Sequence, residues 1–218
     1  MNMPNSQLVG WTAILGGVIA IIGVISLMLM FVVGEPFGTI NDILAIPVAI
    51  LMLPLVLALY RLNATDHSWL SLLAMIAGSA GFIATAVGSI LLLSGRINFE
   101  QSLVYGIGGF GLIGLWALLN SAMGVADHTL PKGLAWAGIL LGLTPTLALA
   151  AVLRADSIAN ALSGMAGQTA AGGQTSPLIY VLFTLGFISY AGLPVWFILI
   201  GRLFLVGRAS ISAAATIA

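Results

Sequence analysis

The sequence contains no cysteine and very little charge. Without cysteine it has no disulfide, no thiolate metal site, no cysteine-ligated iron–sulfur cluster and no cysteine nucleophile. Only 6% of its 218 residues are charged, six basic and six acidic, whereas a soluble domain carries about 25%. This scarcity excludes the ordinary soluble, disordered and nucleic-acid-binding classes, because each of them needs far more charge on its surface.

Hydrophobic residues make up 61% of the chain and form long uninterrupted runs. A membrane helix needs about 20 apolar residues to cross about 30 Å of hydrocarbon. Charges or turn residues separate six such runs here, so the predicted fold class is all-α. We expect a polytopic membrane helical bundle with six transmembrane helices in a single domain, 1–218. The predicted spans lie near 9–33, 42–61, 69–94, 102–124, 133–153 and 177–206.

The distribution of basic residues predicts the orientation of these spans. Cytoplasmic connections of membrane proteins are enriched in lysine and arginine. Four of the six basic residues fall on the side that both termini share with the even-numbered connections, and two fall on the other side. This split predicts that both termini are cytoplasmic. The four residues on the predicted cytoplasmic side are Arg61, Lys132, Arg202 and Arg208.

Two Asp-His dipeptides are the most distinctive polar feature of the predicted cytoplasmic side. Two carboxylates and two imidazoles that converge between neighbouring spans would suit a divalent transition metal or a proton-coupled switch. Helix capping is the simpler interpretation, because Asp, Ser and Thr satisfy the free N–H groups at a helix start. The candidate metal ligands are Asp66, His67, Asp127 and His128.

A second polar group lies inside the predicted spans. Asn120 in span four, Thr144 in span five and Tyr190 in span six lie near spans that proline interrupts. A pocket for a neutral or lipid-like ligand is one interpretation, since helix breaks free backbone groups for binding. Hydrogen bonds between helices are the other. On the outer side, Asn41 and Asp42 open span two near Glu35, which indicates either a capped helix start or an external cation site.

Small residues are abundant in spans three and four and in the connection before span six. Glycines three or four positions apart let helix backbones approach closely, so spans three and four are predicted to form a tight pair. The connection near 155–176 is rich in Ala, Gly, Ser, Gln and Thr and is expected to be a flexible external loop.

Three short motifs resemble a diffuse group of bacterial membrane proteins that have six spans, a similar length and no established function. The motifs are Phe37-Gly38-Thr39-Ile40-Asn41-Asp42, Gly114-Leu115-Trp116 and Leu130-Pro131-Lys132-Gly133-Leu134. The resemblance implies a multi-pass helical bundle in the bacterial inner membrane, with the lipid bilayer as its surroundings. It assigns no catalytic residue.

Three functional classes stay open at this point. The first is a non-enzymatic packing or accessory subunit of a membrane assembly, which the lack of deep charge favours. The second is a carrier or channel for a neutral or lipid-like small molecule. The third is a membrane enzyme that uses the interfacial Asp-His pairs. We predict no cofactor and no nucleic-acid partner, and we expect a membrane-protein partner or a homo-oligomer.

Overall fold

The computed structural model describes residues 6–152 and 177–207, and these residues form six α-helices. The predicted loop near 155–176 lies outside the described residues. In chain order the helices are α1 Ser6–Val33, α2 Phe37–Asn63, α3 Ser68–Leu93, α4 Phe99–Ala126, α5 Lys132–Val152 and α6 Pro177–Leu205.

Five of these helices contain segments long and apolar enough to cross a membrane. A helix of 28 residues, such as α1, is about 42 Å long at 1.5 Å per residue. This length exceeds the hydrocarbon thickness of about 30 Å, so both helix ends reach the polar boundary of a bilayer. The all-helical, membrane-embedded class predicted from composition is confirmed. The five segments are Ser6–Val33, Phe37–Asn63, Ser68–Leu93, Phe99–Ala126 and Leu185–Leu205.

Two helices begin earlier than their apolar runs. α2 begins at Phe37, so Asn41 and Asp42 lie inside the helix rather than at its start. α4 begins at Phe99. The Asn98 side chain accepts a hydrogen bond from the Gln101 backbone N–H at 2.8 Å, and the Gln101 side chain accepts one from the Asn98 backbone N–H. This capping box ends the connection one turn before the apolar run starts, because it satisfies two otherwise free groups.

The helices form a ring in chain order. Each helix packs against the next one, and α6 packs back against α1. We call the end of the ring that carries the start of α1, the connections 64–67 and 127–131 and the end of α6 the termini face. The opposite end, with connections 34–36 and 94–98, is the distal face. The predicted pairing of spans three and four is confirmed, as α3 and α4 pack along one another.

Three pairs of glycines bring neighbouring helix backbones into direct contact. A methyl group on Gly81 of α3 would lie 2.7 Å from the carbonyl oxygen of Gly109 in α4, and the reverse contact is 2.8 Å. The same reciprocal contact joins α4 to α5 and α1 to α6, since only a residue without Cβ permits this approach. The other two pairs are Gly114 with Gly142 and Gly10 with Gly201.

Four aromatic side chains from α3, α4 and α6 fill the middle of the ring. Trp116 is fully buried, and its ring centroid lies 5.8 Å from those of both Phe82 and Trp196 and 6.0 Å from that of Phe197. These separations and the steep angles between most of the rings are those of favourable edge-to-face contacts. We call Phe82, Trp116, Trp196 and Phe197 the aromatic cluster.

Candidate functional site

One of the two Asp-His dipeptides contacts the other across the termini face. The Nε2 atom of His67 lies 3.0 Å from both carboxylate oxygens of Asp127. Only Oδ1 has hydrogen-bonding geometry, so Oδ2 is buried without a hydrogen-bond partner in the described part of the chain. The contact ties the α2–α3 connection to the end of α4, as expected if these spans are neighbours.

The remaining members of the two dipeptides lie apart from this contact. Asp66 and His128 are exposed, and Asp66 accepts from the neighbouring Thr65 hydroxyl at 3.4 Å. Among the described residues no group of three or more His, Asp or Glu side chains could hold a metal ion. The metal hypothesis therefore has one contact in its favour, between His67 and Asp127, and stays a prediction.

The capping interpretation of the dipeptides is wrong where the helix ends are described. His67 precedes α3 without any side-chain hydrogen bond to the helix start, and Asp127 ends α4 instead of starting α5. The Asp127 carboxylate accepts from His67 and so is used between helices rather than within one.

The outer Asn41-Asp42 pair does not cap α2 either. Pro36 occupies the N-cap position and makes no side-chain cap bond. Glu35 takes that role: its Oε2 atom accepts from the Thr39 backbone N–H at 3.2 Å and from the Thr39 hydroxyl at 3.0 Å. Asn41 and Asp42 are thereby free to face other helices.

The three candidate pocket residues lie in at least two separate places. Asn120 is 1% exposed and accepts from the Asn63 side-chain amide at 3.0 Å, while its own amide donates to the Trp116 carbonyl at 2.8 Å. Tyr190 packs against Phe110, with ring centroids 5.2 Å apart. Phe110 and Asn120 are ten residues apart in α4, which is about 15 Å along the axis.

Thr144, the third candidate, is partly buried on α5. The next residue, Pro145, contacts the position where Gly114 lacks a Cβ, so this part of α5 packs against α4. The neighbouring Thr146 hydroxyl donates to the Gly142 carbonyl at 2.7 Å, which keeps its hydrogen bond within α5. This segment therefore serves helix packing in the described structure.

The bond between Asn63 and Asn120 crosses the ring from α2 to α4, and we call it the asparagine bridge. Asn63 is 2% exposed, and its Oδ1 atom has no partner in the described part of the chain. Sequence reasoning singled out Asn120 and missed Asn63. Asn63 is the last residue of α2, where an asparagine is usually exposed to water, so its sequence position does not indicate that it is buried.

We predict that the asparagine bridge contributes about 1 kcal/mol of coupling energy. The measurement is a double-mutant cycle with Asn63→Ala and Asn120→Ala, with unfolding followed in mixed detergent micelles. Either single change leaves a buried amide unpaired, so the double variant is expected to lose less than the sum of the two.

Ser121→Ala combined with Asn63→Ala is the matched control cycle. The Ser121 hydroxyl is fully buried and has no hydrogen-bond partner in the described part of the chain. The losses of unfolding free energy caused by these two changes are expected to be additive within about 0.5 kcal/mol. Equal additivity in both cycles would show that the asparagine bridge is not an energetic link.

A further polar group lies below the distal face. The Tyr190 hydroxyl donates to the Asn41 Oδ1 atom at 3.2 Å, joining α6 to α2. Gly23 of α1 makes room for this oxygen, which lies 3.4 Å from where a Cβ would be. The Asp42 carboxylate lies near the hydroxyl groups of Ser89 and Tyr190. We call Asn41, Asp42, Ser89 and Tyr190 the distal polar cluster.

No protein-family model matches the chain, and no curated protein or solved structure matches it either. The resemblance to bacterial six-span proteins therefore stays an expectation, and no residue role is transferred from another protein.

Proposed function

We propose that the chain spans the bacterial inner membrane six times, with α5 as the sixth span and the termini face in the cytoplasm. α5 runs between the same two faces as its neighbours α4 and α6. Arg61, Lys132 and Arg202 lie towards the termini face, whereas Arg96 is the one described basic residue on the distal face. This bias supports the orientation, because basic residues are retained on the cytoplasmic side.

Within that membrane, we propose that the protein is a non-enzymatic packing or accessory subunit of a larger assembly. The aromatic cluster carries this proposal. Its four side chains are at most 3% exposed and fill the middle of the ring, where a conducting protein needs a path. The glycine contacts on both sides of α4 and between α1 and α6 brace the ring around this filled centre.

Because the centre of the ring is filled, a partner protein would bind to the outer surfaces of the helices. Large apolar side chains are exposed along all six helices, so the surface can face either lipid or the helices of another protein. In a packing subunit, contacts with the partner protein would replace contacts with lipid on part of this surface. The prediction is that protein neighbours lie along adjacent helices and lipid lies along the rest.

Photo-crosslinking in native membranes tests this proposal. A photoreactive residue is placed at one exposed position of each helix, and we expect cross-links to one stoichiometric protein from two or three adjacent helices. A matched probe at fully buried Ala117 should give no external cross-link. Lipid adducts from all six helices would contradict the subunit role. The six positions are Ile25, Ile50, Ile76, Val104, Leu140 and Leu199.

A carrier for a small neutral solute is the second candidate, and the distal polar cluster favours it. Hydroxyl, amide and carboxylate groups from α2, α3 and α6 converge there just inside the membrane. Solute flux into vesicles that contain only this protein, lost in Tyr190→Phe and retained in Tyr60→Phe, would favour the carrier over the subunit. Tyr60 is the control because its hydroxyl makes no hydrogen bond in the described part of the chain.

A further inference from the structure

A groove runs between α5 and α6 at the termini face. It has a volume of about 250 Å³, and four of its five lining residues are apolar. Just inside it, the Trp196 indole N–H donates to the Leu134 carbonyl at 3.0 Å and holds the two helices together. The lining residues are Leu134, Leu199, Arg202, Leu203 and Val206.

Arg202 is the single charged residue of the groove. Its side chain is exposed in the last turn of α6, and it makes no ion pair with any residue in 6–152 or 177–207. The two acidic residues of the same face have other partners: Asp127 pairs with His67, and Asp66 accepts a hydrogen bond from Thr65. The groove therefore combines an apolar wall with a positive charge that makes no ion pair in the described part of the chain.

A second cation lies close in sequence to a residue that lines the groove. Lys132 begins α5, two residues before Leu134, and is exposed. The guanidinium of arginine matches the oxygens of a phosphate in a bidentate arrangement, and a lysine adds a point charge. Basic pockets between membrane helices near the cytoplasmic boundary suit anionic headgroups for this reason.

We propose that the groove binds an anionic phospholipid from the surrounding leaflet. The phosphate binds to Arg202, and an acyl chain lies along Leu134, Leu199 and Leu203. Two of the lining residues, Leu199 and Val206, are 41% and 61% exposed, so the apolar wall is accessible from outside the bundle. Arg202 lies in the last turn of α6, and the end of a membrane-spanning helix lies at the level of the lipid phosphates. A double-chained anionic lipid satisfies both parts of the groove, whereas a free anion satisfies only one.

Lipid titration of the purified protein by native mass spectrometry tests the proposal. We expect phosphatidylglycerol to bind more tightly than phosphatidylcholine, and Arg202→Gln to weaken phosphatidylglycerol binding about tenfold, as the loss of one charge-assisted contact predicts. Arg202→Lys should retain part of the preference. Arg96→Gln, an exposed arginine on the distal face, is the control and should change nothing.

Three results would overturn the proposal. The first is equal binding of the two lipids by the unchanged protein. The second is unchanged phosphatidylglycerol binding in Arg202→Gln, with its melting temperature showing that the variant is folded. The third is complete displacement of the lipid by millimolar inorganic phosphate, which would identify an anion site without an acyl component. None of these results depends on whether the protein is a subunit or a carrier.

Discussion

Trp116→Ala is expected to lower the free energy of unfolding by about 3–5 kcal/mol, the usual cost of removing a large buried aromatic side chain. Trp116 contacts three rings of the aromatic cluster and also packs on Gly78 of α3. Its indole N–H has no hydrogen-bond partner in the described part of the chain, so the loss is one of packing. Denaturation in mixed detergent micelles measures it.

Trp69→Ala is the matched control, because it removes the same side chain from a position that is 71% exposed. We expect a change within about 0.5 kcal/mol, as for other surface substitutions. Trp116→Phe should fall between the two, since a smaller ring keeps part of the contact. Similar losses for Trp116→Ala and Trp69→Ala would show that the centre of the ring is not closely packed.

Gly142→Ala is expected to destabilise the protein by about 1–3 kcal/mol, because an added methyl overpacks a closed contact. That methyl would lie 2.5 Å from the Gly114 carbonyl oxygen and 2.7 Å from the Leu118 backbone nitrogen. Both atoms belong to the α4 backbone and cannot rotate away, so α4 and α5 must separate. A lower melting temperature in detergent is the expected result.

Gly106→Ala provides the comparison on α4 itself. Nothing lies within 4 Å of a Cβ at this position, and alanine is the better helix former by about 1 kcal/mol. This variant should match or exceed the stability of the unchanged protein. If Gly142→Ala is equally harmless, the backbone contact between α4 and α5 is not tight in the membrane.

The helix positions were predictable because charges mark the membrane boundaries. A charged side chain is costly in hydrocarbon, so the charges in the described part of the chain lie at or within a few residues of helix ends. The prediction missed the first turn of α2, since Glu35 and the capping of Thr39 extend the helix beyond its apolar run. The packing of α6 against α1, which closes the ring, was not predictable. Both helices are apolar on all sides, so the sequence does not mark the face that contacts another helix.

The candidate site was predictable only in part for a related reason. The two Asp-His dipeptides are conspicuous, and His67 and Asp127 do meet. The bond between Tyr190 and Asn41 joins residues 149 positions apart, and no local pattern connects them. Capping rules misled because they assume that a polar side chain near a helix end serves its own helix.

The three glycine contacts divide the ring into parts that differ in their freedom to move. α3, α4 and α5 are held together by two of them, and α1 and α6 by the third. α2 has a single glycine, Gly38, and carries Pro47 and Pro54 within the helix. We therefore expect any large motion to displace a three-helix body against a two-helix body, with α2 bending as a hinge. Such a motion would have to separate α5 from α6 and break the hydrogen bond from Trp196 to the Leu134 carbonyl, and a lipid bound between these helices would oppose it.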